Sequence, residues 1–116
     1  MNDFIGCQDY SSWFDMDGNK ITFEEFIEKY PFNTHSRRVA FSKIEPYRVS
    51  TVLLGLNHNF FGEGAPLIFE TMIFKNEGWE EVYMDRYATK QEALIGHEKA
   101  CEYAKELIKT ETTTSP

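Results

Sequence analysis

The chain of 116 residues is predicted to be an α+β domain, with an antiparallel β-meander of about four strands under a long C-terminal helix, preceded by a short β-hairpin and a short helix. Three observations predict it. Two apolar runs between Arg48 and Phe74 flank a tip rich in Gly, Asn and Phe, as paired central strands do. The spacing T-x-x-E occurs at Thr22 to Glu25 and at Thr89 to Glu92, marking two helix starts. Turn signals at Asp17-Gly18, Glu45-Pro46-Tyr47 and Asn76-Glu77-Gly78 divide the remainder into strand-sized pieces.

The elements follow in order. Trp13 to Met16 and Asn19 to Ile21 flank Asp17-Gly18, a pair suited to the positive backbone angles of a tight hairpin. Thr22 then caps a short helix whose Phe23, Phe26, Ile27 and Tyr30 recur at helical spacing until Pro31 forces the chain out. Arg38 to Ile44 reads as a strand, with Glu45-Pro46-Tyr47 turning it into the central hairpin. With the hairpin tip near Phe61, Val52, Leu54 and Leu56 fall opposite Thr71, Phe69 and Leu67. That register turns one apolar face to the core and leaves Thr51, Asn57 and Glu70 on the other. Trp79 to Tyr87 is the last strand, with Val82 and Met84 on one side. After Thr89, a stripe of Ala93, Leu94, His97, Ala100, Cys101, Ala104, Leu107 and Ile108 predicts a helix lying across the sheet. Residues 1–109 form one domain in this reading, and 110–116 a flexible tail.

Aromatic residues make up 16% of the chain, ten of them Phe, which suits a packed core. A net charge of −7 opposes general nucleic-acid binding, which needs a clustered cationic surface, and suits a basic partner. MNDFIGCQDY lacks a basic leader and an apolar core, and no run reaches the ~18 apolar residues of a membrane span. A soluble cytosolic protein with no membrane association is expected. Cys7 and Cys101 form no CxxC pair, so reduced thiols are expected.

Several side chains invite chemistry. Asp15-Met16-Asp17-Gly18-Asn19 resembles a calcium loop only until Gly18 is aligned, which puts Trp13 at the first ligand position; a hairpin turn fits better. His97 and Cys101 share a helix face, and with His58 and Cys7 they would make up a zinc set, but without the close ligand pairs such sites use. No cofactor or metal is expected. His58 with Glu70 and His97 offers an acid and base group, with no nucleophile motif beside it. Arg37, Arg38 and Arg48 lie at the ends of successive strands and suit an anion, or structural ion pairs, while Tyr47 and Tyr87 offer stacking faces for a base. Phe60 and Phe61 at the hairpin tip are aromatic anchors for another chain, or fold back into the core.

The segments FDMDGNKITFEEF, RVSTVLLGLNHNF, PLIFETMIF and RYATKQEALIGHE, in this order, resemble a family of small proteins encoded by bacteriophages and prophages and left without assigned function. The resemblance spans most of the chain. Leu53 stands where the family often has Trp, and the Phe60-Phe61 pair is extra bulk at the tip. The resemblance implies an accessory product acting in the host cytoplasm, of a kind often aimed at host systems, and no catalytic residue carries over. The expected function is a non-catalytic protein that binds and inhibits a host component, such as a defence protein. One alternative is a sponge for a nucleotide-like immune signal; another is a small hydrolase using His58, Glu70 and His97. A homodimer through an exposed edge strand also fits the pattern.

Overall fold

The structure, a computed structural model, describes residues 12–32, 34–59, 63–76 and 78–113, except the side chains of residues 112 and 113. Strands β1 (Trp13–Phe14) and β2 (Lys20–Ile21) pair antiparallel around Asp17-Gly18, with Gly18 at φ 85°. The Asp15 carboxylate locks this turn by accepting from the backbone N–H groups of Asp17 (3.0 Å) and Asn19 (2.9 Å). Burial pushes the Asp15 pKa up, but the bonds from Asn19 and Asp17 outweigh it and hold the group below its ordinary 3.8. The stabilisation from this group is therefore full above the ordinary carboxylate pKa and lost as pH falls through the lowered folded value. Asp15→Ala is expected to cost about 1–3 kcal/mol, because two amides lose their acceptor, read as a lower urea midpoint with an unchanged slope.

Helix α1 (Phe23–Lys29) begins with the predicted capping box. The Thr22 hydroxyl accepts from the Glu25 N–H, and the Glu25 carboxylate accepts from the Thr22 N–H. Phe26 is buried from α1, with the Trp13 ring 4.6 Å and the Tyr30 ring 5.0 Å from its centroid. The hairpin and α1 dock as a unit on the chain just after the first central strand: the Phe14 N–H donates to the Gly55 carbonyl, and Trp13 bridges Leu56.

Strands β3 (Arg38–Ile44), β4 (Tyr47–Leu53), β5 (Phe69–Lys75) and β6 (Glu81–Tyr87) form the expected antiparallel meander in that spatial order. The register of the central pair differs from the sequence reading by one residue. Thr51 lies opposite Thr71, Val52 opposite Glu70 and Leu53 opposite Phe69. Val49, Leu53, Phe69 and Ile73 therefore fill the core together with Thr51 and Thr71, while Val52 sits on the other face. The cause is an irregularity above β4. The amides of Leu54 and Gly55 both donate to the Ile68 carbonyl, so counting residues back from the tip misplaces every pair below it. In β6 a bulge falls between Tyr83 and Glu81 and leaves Val82 exposed; past it the regular pairing, with Tyr83 opposite Ile73 and Tyr87 opposite Phe69, turns both tyrosines to the core side and Met84 to the other.

Helix α2 (Lys90–Thr113) crosses all four strands on one face. Its contact stripe is small: Ala93, Gly96, Ala100 and Ala104 are buried, whereas Leu94, predicted on the stripe, is exposed. The Tyr87 ring lies against Gly96, where a Cβ would stand 2.2 Å from the ring. The helix continues past residue 109, where a tail was expected to start. The Tyr47 hydroxyl bonds the Glu111 carboxylate, and Lys75 lies 3.5 Å from the same oxygen, so the added turn is tethered to β4 and β5. The hydrogen bond to Glu111, assisted by burial, pushes the Tyr47 pKa up to about 12. Among the described residues no helix is long and apolar enough to cross a membrane.

Candidate functional site

The three residues that suggested acid-base chemistry are each held in separate surroundings. His97 projects from α2 onto the sheet, where its Nδ1 meets the Thr51 hydroxyl at 2.7 Å and its Nε2 the Ser42 hydroxyl at 2.9 Å. Thr51 in turn meets Thr71 at 2.5 Å. A hydroxyl donates or accepts as required, so either neutral imidazole tautomer is satisfied by this chain of groups. Burial lowers the His97 pKa, and the nearby Glu98 carboxylate only partly opposes the shift. Glu70 belongs to the opposite face of the sheet, because its neighbour Thr71 points at the helix, and it accepts from Arg86 Nε at 3.0 Å. His58 holds the Leu56 carbonyl through Nδ1. The acid, the base and the second imidazole are thus not brought together.

The arginines and tyrosines predicted to share a ligand are also divided by the sheet. Tyr47 and Tyr87 point to the helix side and are buried. No described residue gives the Tyr87 hydroxyl a hydrogen bond of acceptable geometry; burial pushes its pKa up, although the Thr71 hydroxyl lies near enough to draw it down. Arg48 lies on the other face, donating from Nε to the Asn76 carbonyl (2.7 Å) and from Nη2 to the Gly78 carbonyl (2.5 Å). Its guanidinium carbon stands 5.3 Å from the Phe74 ring and 5.7 Å from the Trp79 ring. Arg38 lies 4.5 Å over Phe41, and Arg37 is exposed. Phe60 and Phe61 lie outside the described residues, as does Cys7.

What the structure does assemble is the sheet face that α2 leaves uncovered. Trp79 is 82% exposed, Met84 42%, Phe41 38% and Val82 37%, over partly buried Met72 and Phe74. Arg38 and Arg48 stand among these aromatics, with Lys43 across from Arg48 on the neighbouring strand. Cross-strand partners share a face, so Lys43 and Arg48 set two cations side by side. The Glu70 charge on this face is already matched by Arg86, and Glu81, the cross-strand partner of Phe74, adds one carboxylate at the β6 edge against the three cations Arg38, Lys43 and Arg48. A chain of net charge −7 therefore carries a cationic and apolar surface on one face of its sheet. Sequence reasoning found Arg38 and Arg48 but missed Lys43, Phe41, Trp79 and Met84. Alternation alone would have placed Phe41 and Lys43 together, and Met84 was set beside Val82 without being linked to the arginines across the sheet.

Among the described residues, clefts flank the sheet on two sides. One, of about 560 Å³, lies between β6, α2 and the residues Asn59, Gly64, Ala65 and Leu67, with Tyr83, Asp85, Tyr87, Gly96 and Lys99 in its walls. The other, of about 420 Å³, is lined by Lys43, Glu45, Pro46, Arg48 and Asn76 at the β3–β4 turn. No protein-family model, no curated protein and no solved structure matches the chain.

Proposed function

We propose that this chain is a non-catalytic binding protein that engages a partner protein through the uncovered face of its sheet. The observation that carries this reading is the coincidence, on that one face, of an 82% exposed Trp79 with Phe41, Val82 and Met84 and with unneutralised cations. Antiparallel sheets tolerate a solvated face, but such a face is ordinarily polar on alternate positions. Charge selects the occupant. A second copy docked face to face would set Arg38, Lys43 and Arg48 against their own kind, whereas an acidic protein surface with apolar centres complements them. The likeness of four sequence segments to phage-encoded proteins supports a host component as that partner.

The test compares capture of a specific partner by the unaltered chain with capture by Trp79→Ala and Met84→Lys. Affinity is expected to fall by at least about tenfold for Trp79→Ala, as for an aromatic anchor, with the melting temperature unchanged. Capture that survives both substitutions, yet is lost when the outer face of α2 is altered at Glu102 and Glu106, would move the interface to the helix and overturn the reading.

A further inference from the structure

We propose that the cleft at the β3–β4 turn is an anion site that takes the phosphate of a small phosphate ester. Lys43 and Arg48 are direct cross-strand neighbours, an arrangement of like charges that works against strand pairing. Arg48 has a structural task, since its bonds to the Asn76 and Gly78 carbonyls hold the turn after β5. Lys43 has none: among the described residues its side chain makes no hydrogen bond or ion pair, and it is exposed. Lys43 sits on the edge strand, where an exposed charge also discourages edge pairing, and its ammonium facing the same cleft as Arg48 is available to an anionic ligand.

The geometry favours phosphate over carboxylate. Two carbonyls fix the plane of the Arg48 guanidinium, so the N–H groups they leave over are ordered in advance, and Lys43 adds a point charge across the strand gap. A phosphate monoester carries about −1.5 to −2 at neutral pH and matches two cations, whereas a carboxylate matches one. The volume of about 420 Å³ is that of a small-molecule site. Trp79 is outside the cleft lining, but it is largely exposed and its ring centroid lies 5.7 Å from the Arg48 guanidinium carbon, so the organic part of an ester held at Arg48 could reach its ring, as a nucleotide base would. Glu45 is the opposing charge in the wall, and no ion pair among the described residues joins it to either cation. It tunes the site downward, which gives the proposal a signature of its own.

Titration of the full chain with inorganic phosphate and with a nucleoside 5′-monophosphate, followed by backbone amide shifts and Trp fluorescence, tests this. Saturable binding of both is expected, with shifts centred on Lys43, Arg48 and Asn76. The nucleotide binds more tightly if Trp79 takes its base, and inorganic phosphate binds as tightly if the site reads phosphate alone; both results support an anion site. Lys43→Gln should weaken binding by about tenfold, one charge-assisted contact, without lowering the melting temperature, since it also relieves the like-charge pair, and Glu45→Gln should strengthen binding. Acetate binding as tightly as phosphate would overturn the proposal, as would no saturable binding or an unaltered Lys43→Gln. The outcome is separable from that of partner capture, because Trp79→Ala and Met84→Lys leave both cations in place.

Discussion

Gly55→Ala is expected to lose about 3–5 kcal/mol of stability, the sum of two independent costs. Gly55 sits at φ +91°, where a non-glycine residue is strained by about 1–3 kcal/mol. A Cβ there would also stand 2.5 and 2.7 Å from ring carbons of buried Phe26 and 3.0 Å from Trp13. Those rings cannot retreat cheaply, since they pack on each other and on Tyr30. For a domain of ordinary stability, about 5–15 kcal/mol, the loss is a fifth or more of the total. It should fall first on the hairpin and α1, whose docking runs through the Gly55 carbonyl. Urea unfolding read by Trp fluorescence and by far-UV circular dichroism separates the two stages. The variant should show an early fluorescence transition near Trp13, with the sheet and α2 melting later. A single transition at the unaltered midpoint would mean that the close approach at Gly55 is not what holds the unit down.

Much of the fold was legible because its punctuation is local. Asp17-Gly18, the two Thr-x-x-Glu boxes and the seven residues Arg38–Ile44 each act within a few positions, and each element stands where the pattern put it. The central register was not legible. Tyr47, Val49, Thr51 and Leu53 alternate as well as Arg48, Ser50, Val52 and Leu54 do, and Thr51 looks like a solvent-side residue until His97 arrives from a helix far along the chain. Only that non-local partner makes a buried threonine pair affordable. Gly96, an apparent weak point in the middle of a helix, is explained in the same way by the Tyr87 ring against it. The candidate surface was half legible. Its arginines stood out as a charge cluster, but they were grouped with Tyr47 and Tyr87, which face the other side: Tyr47 and Arg48 are consecutive in β4 and so point to opposite faces in any register. A one-residue slip exchanges the two faces, so an error too small to disturb the fold class still moves Thr51 from the solvent side to the core.

The second large effect is expected at His97, and it depends on pH. His97→Leu should cost about 1–3 kcal/mol at neutral pH, because the Ser42 and Thr51 hydroxyls lose their shared partner while Thr51 and Thr71 keep each other. The sign of the pH dependence follows from the lowered folded pKa. Between that value and the unfolded value of 6.5 the unfolded chain binds more protons, so acid favours unfolding. The stability due to neutral His97 is thus full above the unfolded pKa and lost as pH falls through the folded one. The groups around the ring do not reverse this: the sheet offers it the hydroxyls of Ser42 and Thr51, and Glu98 on α2 is exposed. Unfolding free energies of the two chains, measured at a series of pH values, remove the carboxylate titrations common to both. Their difference should shrink as the solution is acidified from neutral toward the carboxylate range. A difference that stays constant there would mean that His97 remains neutral or finds a partner when charged. The Ser42, Thr51 and Thr71 chain would then be a fixed polar lock between helix and sheet rather than one that acid opens.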